Sequence, residues 1–110
     1  MQAGRELDKQ IAEALGWEPY LDEDFTDWAT NGHGWVPKFS TTGDGMLRLI
    51  EEARKQGILF DLDTMEDKYK VKAYRWNEFN LEYDEIANVE GESAPRIVCS
   101  AFLWGKGSER

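Results

Sequence analysis

Between residues 3 and 15 the apolar positions fall at Leu7, Ile11 and Leu15 with Ala14 beside them, and Arg5, Asp8, Lys9 and Glu13 take up much of the remaining surface. Four-residue spacing of this kind predicts an amphipathic helix, and Gly16 stands where such a helix ends. Met46, Leu49, Ile50 and Ala53 repeat the helical spacing and predict a second helix over about residues 42 to 56, followed by Gly57. Thr41 with Asp44 three residues on has capping-box spacing, and Ser40 is the competing cap.

Periodicity then changes from helical to alternating. Ile58, Phe60 and Leu62 alternate with Leu59, Asp61 and Asp63, and Tyr69, Val71 and Ala73 alternate with Lys70, Lys72 and Tyr74. Both read as strands, and the short 64–68 connection makes them antiparallel neighbours. A third strand is predicted from Phe79 to Val89, with Phe79, Leu81, Tyr83, Ala87 and Val89 on one half-buried face. Glu85 and Ile86 interrupt its alternation, as a bulge would. A turn at 91–95 then places Ser93 as cap and Pro95 in the first turn of a last helix. That helix carries Ile97, Val98, Cys99, Ala101, Phe102 and Leu103, is apolar on nearly all sides and is expected to be the most buried. The polar tail from Gly105 to Arg110 is expected to fray.

The stretch from Trp17 to Phe39 has no period. It holds Pro19, Pro37, Gly32, Gly34, the acids Asp22, Glu23, Asp24 and Asp27, and the aromatics Trp17, Tyr20, Phe25, Trp28, Trp35 and Phe39. A structureless loop of that length is uncommon in a compact domain, so its aromatics are expected to pin it over the core around a short strand or turn. Strands and helices are otherwise segregated along the chain, which argues an α+β domain whose antiparallel sheet is covered on one or both faces.

Composition narrows the function classes. A chain of 110 residues has room for one domain, and 41% hydrophobic content is enough for a core. With 13 Lys and Arg against 22 Asp and Glu, the net charge of −9 opposes direct binding to nucleic acid or to an anionic membrane. The N-terminus is a charged helical pattern rather than a secretory signal, no apolar run is long enough to cross a membrane, and Cys99 is the single cysteine. These features point to the cytoplasm.

Three segments carry a resemblance: AGRELD with IAEALGW between residues 3 and 17, PKFST at 37–41, and SAPRIVCSAF at 93–102. Together they resemble the small "ABA sandwich" domain family of phages and prophages, whose members have a GREL-D start, a YST-like cap and a C-terminal AP-x-A-I-C-like helix. The resemblance implies a single-domain α/β/α sandwich, with a three-stranded, mainly antiparallel sheet and about three helices. It also implies a phage-encoded protein in the bacterial host cytoplasm, and it brings no catalytic residues and no cofactor.

Candidate chemistry is sparse. His33, in NGHGW near Asp24 and Asp27, has the residue types of a metal or general-base site, but one His has no partner at ligand spacing, so neither a metal nor a catalytic residue is assigned. Asp61, Asp63 and Asp67 lack the Gly and terminal Glu of a calcium loop. Ser40, Thr41 and Thr42 beside Gly43 and Gly45 offer hydroxyls and N–H groups at a helix start, a natural anion site, without the Lys of a phosphate loop. Trp28 and Trp35 flank a glycine turn next to Thr30 and Asn31, where flat rings stack on a base or form a protein hot spot. Cys99 reads as a small buried hydrophobe.

The candidate ligand- or partner-binding residues are therefore Trp28, Asn31, His33, Trp35, Ser40 and Thr41. The leading expectation is a non-enzymatic phage accessory protein that binds a host or phage protein, or its own copies in a homo-oligomer, through the aromatic segment. One alternative is a protein that sequesters a small nucleotide-like ligand at an interface between subunits, using the Ser40 to Gly45 cap and the Trp rings. Another is an acidic DNA mimic built on the clusters Asp22 to Asp27, Asp61 to Asp67 and Glu82 to Glu92.

Overall fold

A computed structural model describes residues 3–107. The element order is α1 (Arg5–Ala14), β1 (Pro19–Asp22), β2 (Asp27–Thr30), β3 (Gly34–Trp35), α2 (Gly43–Lys55), β4 (Ile58–Thr64), β5 (Tyr69–Asn77), β6 (Glu82–Gly91) and α3 (Ala94–Gly105). The helices arise where the apolar spacing placed them. Gly16 follows α1 at φ 89°, a conformation that an L side chain resists, and its N–H bonds Glu13 O while that of Trp17 bonds Ala12 O. This pair of bonds satisfies the last carbonyls of the helix.

The cap of α2 lies one residue later than the capping-box spacing suggests. Thr42, not Thr41, accepts the Gly45 N–H at 2.9 Å. The N–H groups of Thr41 and Thr42 both turn back to Lys38 O, and Ser40 faces inward, so the chain advances one more residue before the helix begins.

The unpatterned stretch contains a small antiparallel sheet of its own, in the order β1-β2-β3. Strands of two to four residues are too short for alternation to show. Trp17, Trp28 and Phe39 do pin this segment to the core as expected, whereas Tyr20, Phe25 and Trp35 point to solvent.

The larger sheet is the antiparallel meander β4-β5-β6. Ala73 pairs with Ala87 but Tyr74 pairs with Glu85, so Ile86 is the extra residue of the expected bulge. The bulge exchanges the two faces of β6. On one side of it Ala87 and Val89 stand opposite Ala73 and Val71 on the core face; on the other, Tyr83 stands opposite Trp76 on the open face. The expectation that Phe79, Leu81 and Tyr83 share a half-buried face with Ala87 and Val89 is corrected accordingly: all three are exposed, and residues 78–81 form a loop rather than strand.

Helix α3 is the centre of the molecule. It packs on β5, β6, α2 and α1, and every side chain from Ile97 to Leu103 is buried. Helix α2 also packs on β4, and α1 on the β1–β2 hairpin. Phe39, Phe102, Leu7, Ile11, Leu49 and Ile58 are the largest fully buried side chains of this core. The result is a single α+β domain of three helices and two three-stranded antiparallel sheets. Among the described residues no helix is long and apolar enough to cross a membrane.

Candidate interaction surface

The sequence-derived candidates separate into an inner and an outer group. Ser40 belongs to the inner one. Its side chain is fully buried, its Oγ donates to Asp8 Oδ1 at 2.7 Å and accepts from the Gly4 N–H at 2.9 Å, and its own N–H donates to the same Asp8 oxygen at 2.8 Å. Asp8 Oδ2 accepts from Arg5 Nη1 at 2.9 Å. The Arg5 guanidinium also donates to Asp27 Oδ1 at 2.8 Å and to the carbonyls of Val36 and Pro37. Each polar group thus has a partner, and the network fastens α1 to the chain entering α2. An anion placed at Ser40 would meet the buried Asp8 carboxylate, so this helix start does not offer the hydroxyl that the sequence suggested. Thr41, beside it, is exposed.

Burial pushes the Asp27 carboxyl upward, but the Trp28 N–H, the Arg5 hydrogen bond and the Arg5 and Lys38 charges outweigh it and hold the group below the usual carboxylate range. Cys99 lies in the buried stretch of α3, where desolvation first, and the Asp8 charge second, push its thiol far up. That disfavours the reactive thiolate.

Trp28 is half-buried against the core, with Lys9 Nζ 4.7 Å from its ring centroid. His33 stacks on Trp17, centroids 4.2 Å apart and planes 9° from parallel, and Arg48 Cζ lies 5.2 Å from the same Trp17 ring. The imidazole is therefore engaged by a ring, and among the described residues no three His, Cys, Asp or Glu side chains converge as metal ligands. Asn31 is exposed in the turn, which Thr30 Oγ1 fastens by donating to Gly34 O and accepting from the His33 N–H. Trp35 is 47% exposed and meets Phe25, 69% exposed, edge to face at 5.3 Å.

A second display of apolar surface lies elsewhere, at the β5–β6 hairpin end. Phe79 is 98% exposed and Leu81 73%, and the half-exposed rings of Trp76 and Tyr83 meet edge to face at 5.1 Å. The loop beneath them is tightly specified. Asn77 Oδ1 accepts from the N–H groups of Phe79 and Asn80, Asn77 Nδ2 donates to Asp84 Oδ2 at 2.7 Å, and Leu81 takes φ 55°. A leucine in the left-handed region is strained by roughly 1–2 kcal/mol. The β1–β2 loop is built the same way: Asp22 Oδ1 accepts from Asp24 N–H and Phe25 N–H, and Thr26 takes φ 49°. In both, a side-chain oxygen closes a four-residue loop and an exposed Phe is presented on it.

Comparison with known protein families, curated proteins and solved structures finds no match. Sequence reasoning missed Phe79 and Leu81 as exposed residues, because they share odd-numbered positions with Ala87 and Val89, whereas the bulge at Ile86 shifts that register and residues 78–81 leave the strand as a loop. The available signal was Asn77 with Glu78 and Asn80 close behind it, the composition of an Asx turn that ends one strand before another begins.

Proposed function

We propose that this chain is a binding protein without catalytic activity that recognises a protein partner through aromatic side chains held on its hairpin loops. The observation that carries this reading is Phe79: a fully exposed phenylalanine on a loop fixed by Asn77, next to Leu81 held at positive φ. Large apolar side chains on an ordered and strained loop contribute nothing to the core, and surfaces of this kind are contact surfaces. Trp35 with Phe25 supplies a second element of the same character. The resemblance to the phage and prophage family is in keeping with an accessory protein that acts on a bacterial host protein.

The test is affinity capture from a bacterial lysate together with sedimentation of the purified chain, for the native protein, Phe79→Ala and Trp35→Ala. Melting temperatures of both variants are expected to match the native chain while capture or self-association is lost. Unchanged capture and unchanged sedimentation in both variants would remove the reading.

A further inference from the structure

The charge around the β5–β6 hairpin end says what kind of partner fits it. Between residues 75 and 84 the carboxylates are Glu78, Glu82 and Asp84, and the one cation is Arg75. The apolar tip therefore has an acidic rim on a chain whose net charge is already −9. Farther along the same sheet, away from the tip, acids and bases balance across strands: Lys68 bonds Glu90 at 2.7 Å and Lys72 approaches Glu85 at 3.7 Å. Beside the tip a groove of about 420 Å³ is bounded by Trp76, Phe79 and Ile86 on its apolar side and by Glu78, Asp84 and the single cation Arg75 on its polar side, so its charged lining is acidic by one unit before Glu82 is added. A groove of that size takes one or two apolar side chains.

We propose that this groove receives a basic amphipathic segment of a partner protein, with an apolar side chain seated between Phe79 and Ile86 and flanking Lys or Arg residues facing Glu78, Glu82 and Asp84. The proposal rests on the reading of the chain as a binding protein and adds the chemistry of the partner. A second copy of this chain is a poor occupant, because it would bring one acidic rim against another. A nucleic acid or an anionic lipid surface is repelled for the same reason.

Three synthetic helical peptides of one design provide the probe, built from Leu with Lys, Leu with Gln, or Leu with Glu, and titrated into the full chain while amide chemical shifts are followed. The Leu/Lys peptide is expected to shift residues 75–86 selectively, to bind more weakly as salt rises from about 50 to 300 mM, and to lose about tenfold or more in affinity to Phe79→Ala. Glu78→Lys with Glu82→Lys is expected to turn the preference toward the Leu/Glu peptide; both positions are exposed, so the fold is kept. Equal binding of the Leu/Lys and Leu/Gln peptides at the tip overturns the charge assignment and leaves the aromatic contact surface standing. Shifts spread over the whole acidic surface and indifferent to Phe79→Ala, or no shifts at the tip, overturn the proposal.

Discussion

The carboxylate of Asp8 and the hydroxyl of Ser40, 32 residues apart in the chain, meet at 2.7 Å inside the protein. Asp8 also accepts the Ser40 N–H and pairs with Arg5, so one buried side chain on the first helix holds the segment that leads into the second. Asp8→Ala would leave the Ser40 donors and the Arg5 guanidinium without this partner. Breaking a buried charged pair from one side costs about 3–5 kcal/mol, so the denaturant midpoint is expected to fall sharply. A midpoint equal to that of the native chain would show that Asp8 carries none of this link.

Helix α3 is predicted to be the main source of core stability. Ile97→Ala and Phe102→Ala each remove a fully buried side chain and are expected to cost roughly 2–5 kcal/mol. Chemical denaturation followed by far-ultraviolet circular dichroism measures both losses, and unaltered midpoints would place the helix at the periphery.

The positions of those helices, their caps at Gly16 and Ser93, the β4–β5 pairing and the bulge near Ile86 were legible in the sequence, because each depends on spacing over a few residues. The small β1-β2-β3 sheet was not, since strands of two to four residues show at most two repeats of the alternation. The two faces of β6 were misread for a sharper reason: a one-residue bulge inverts every side chain beyond it, and sequence shows that a bulge exists without showing which side keeps the core. Of the candidate site, Trp35 emerged as an exposed ring, while Ser40 proved to be a partner of Asp8, a relationship across 32 residues that no local pattern encodes.

Trp28 and Trp35 are expected to respond in opposite ways to truncation. Trp28→Ala removes a ring packed on the core and on Lys9, for a loss of about 2 kcal/mol or more. Trp35→Ala removes a half-exposed ring and is expected to stay within about 1 kcal/mol. Thermal melts of the two variants side by side decide this, and strong destabilisation by Trp35→Ala would make the small sheet a lid rather than a contact surface.

Acid should weaken the Arg5–Asp27 link. The native Asp27 carboxyl lies below its ordinary range, so its contribution is complete above the usual carboxylate pKa of about 4 and is lost as pH falls through the lowered native value. The stability gap between the native chain and Asp27→Asn is therefore expected to be wide near pH 7 and to close as pH falls below the usual carboxylate range through the lowered native value. A gap that stays constant across this range would show that ionisation of Asp27 is not what stabilises the link.

Cys99 is expected to resist thiol reagents in the native state and to react as the chain unfolds, since its thiol is both enclosed and disfavoured as thiolate. Labelling followed by mass spectrometry across a denaturant series reads this directly, and rapid native labelling would expose an opening motion of α3.

The shared construction of the two hairpin loops separates what folds them from what they display. One side-chain oxygen, from Asp22 or Asn77, and one left-handed residue, Thr26 or Leu81, determine each turn, and the residues between them have no duty to the core. Those interior positions are free to vary without endangering the scaffold. Exchanging the Asp22 to Thr26 and Asn77 to Leu81 loops would preserve both turns while moving Phe to a different place in each, so what the domain displays is separable from what holds its shape.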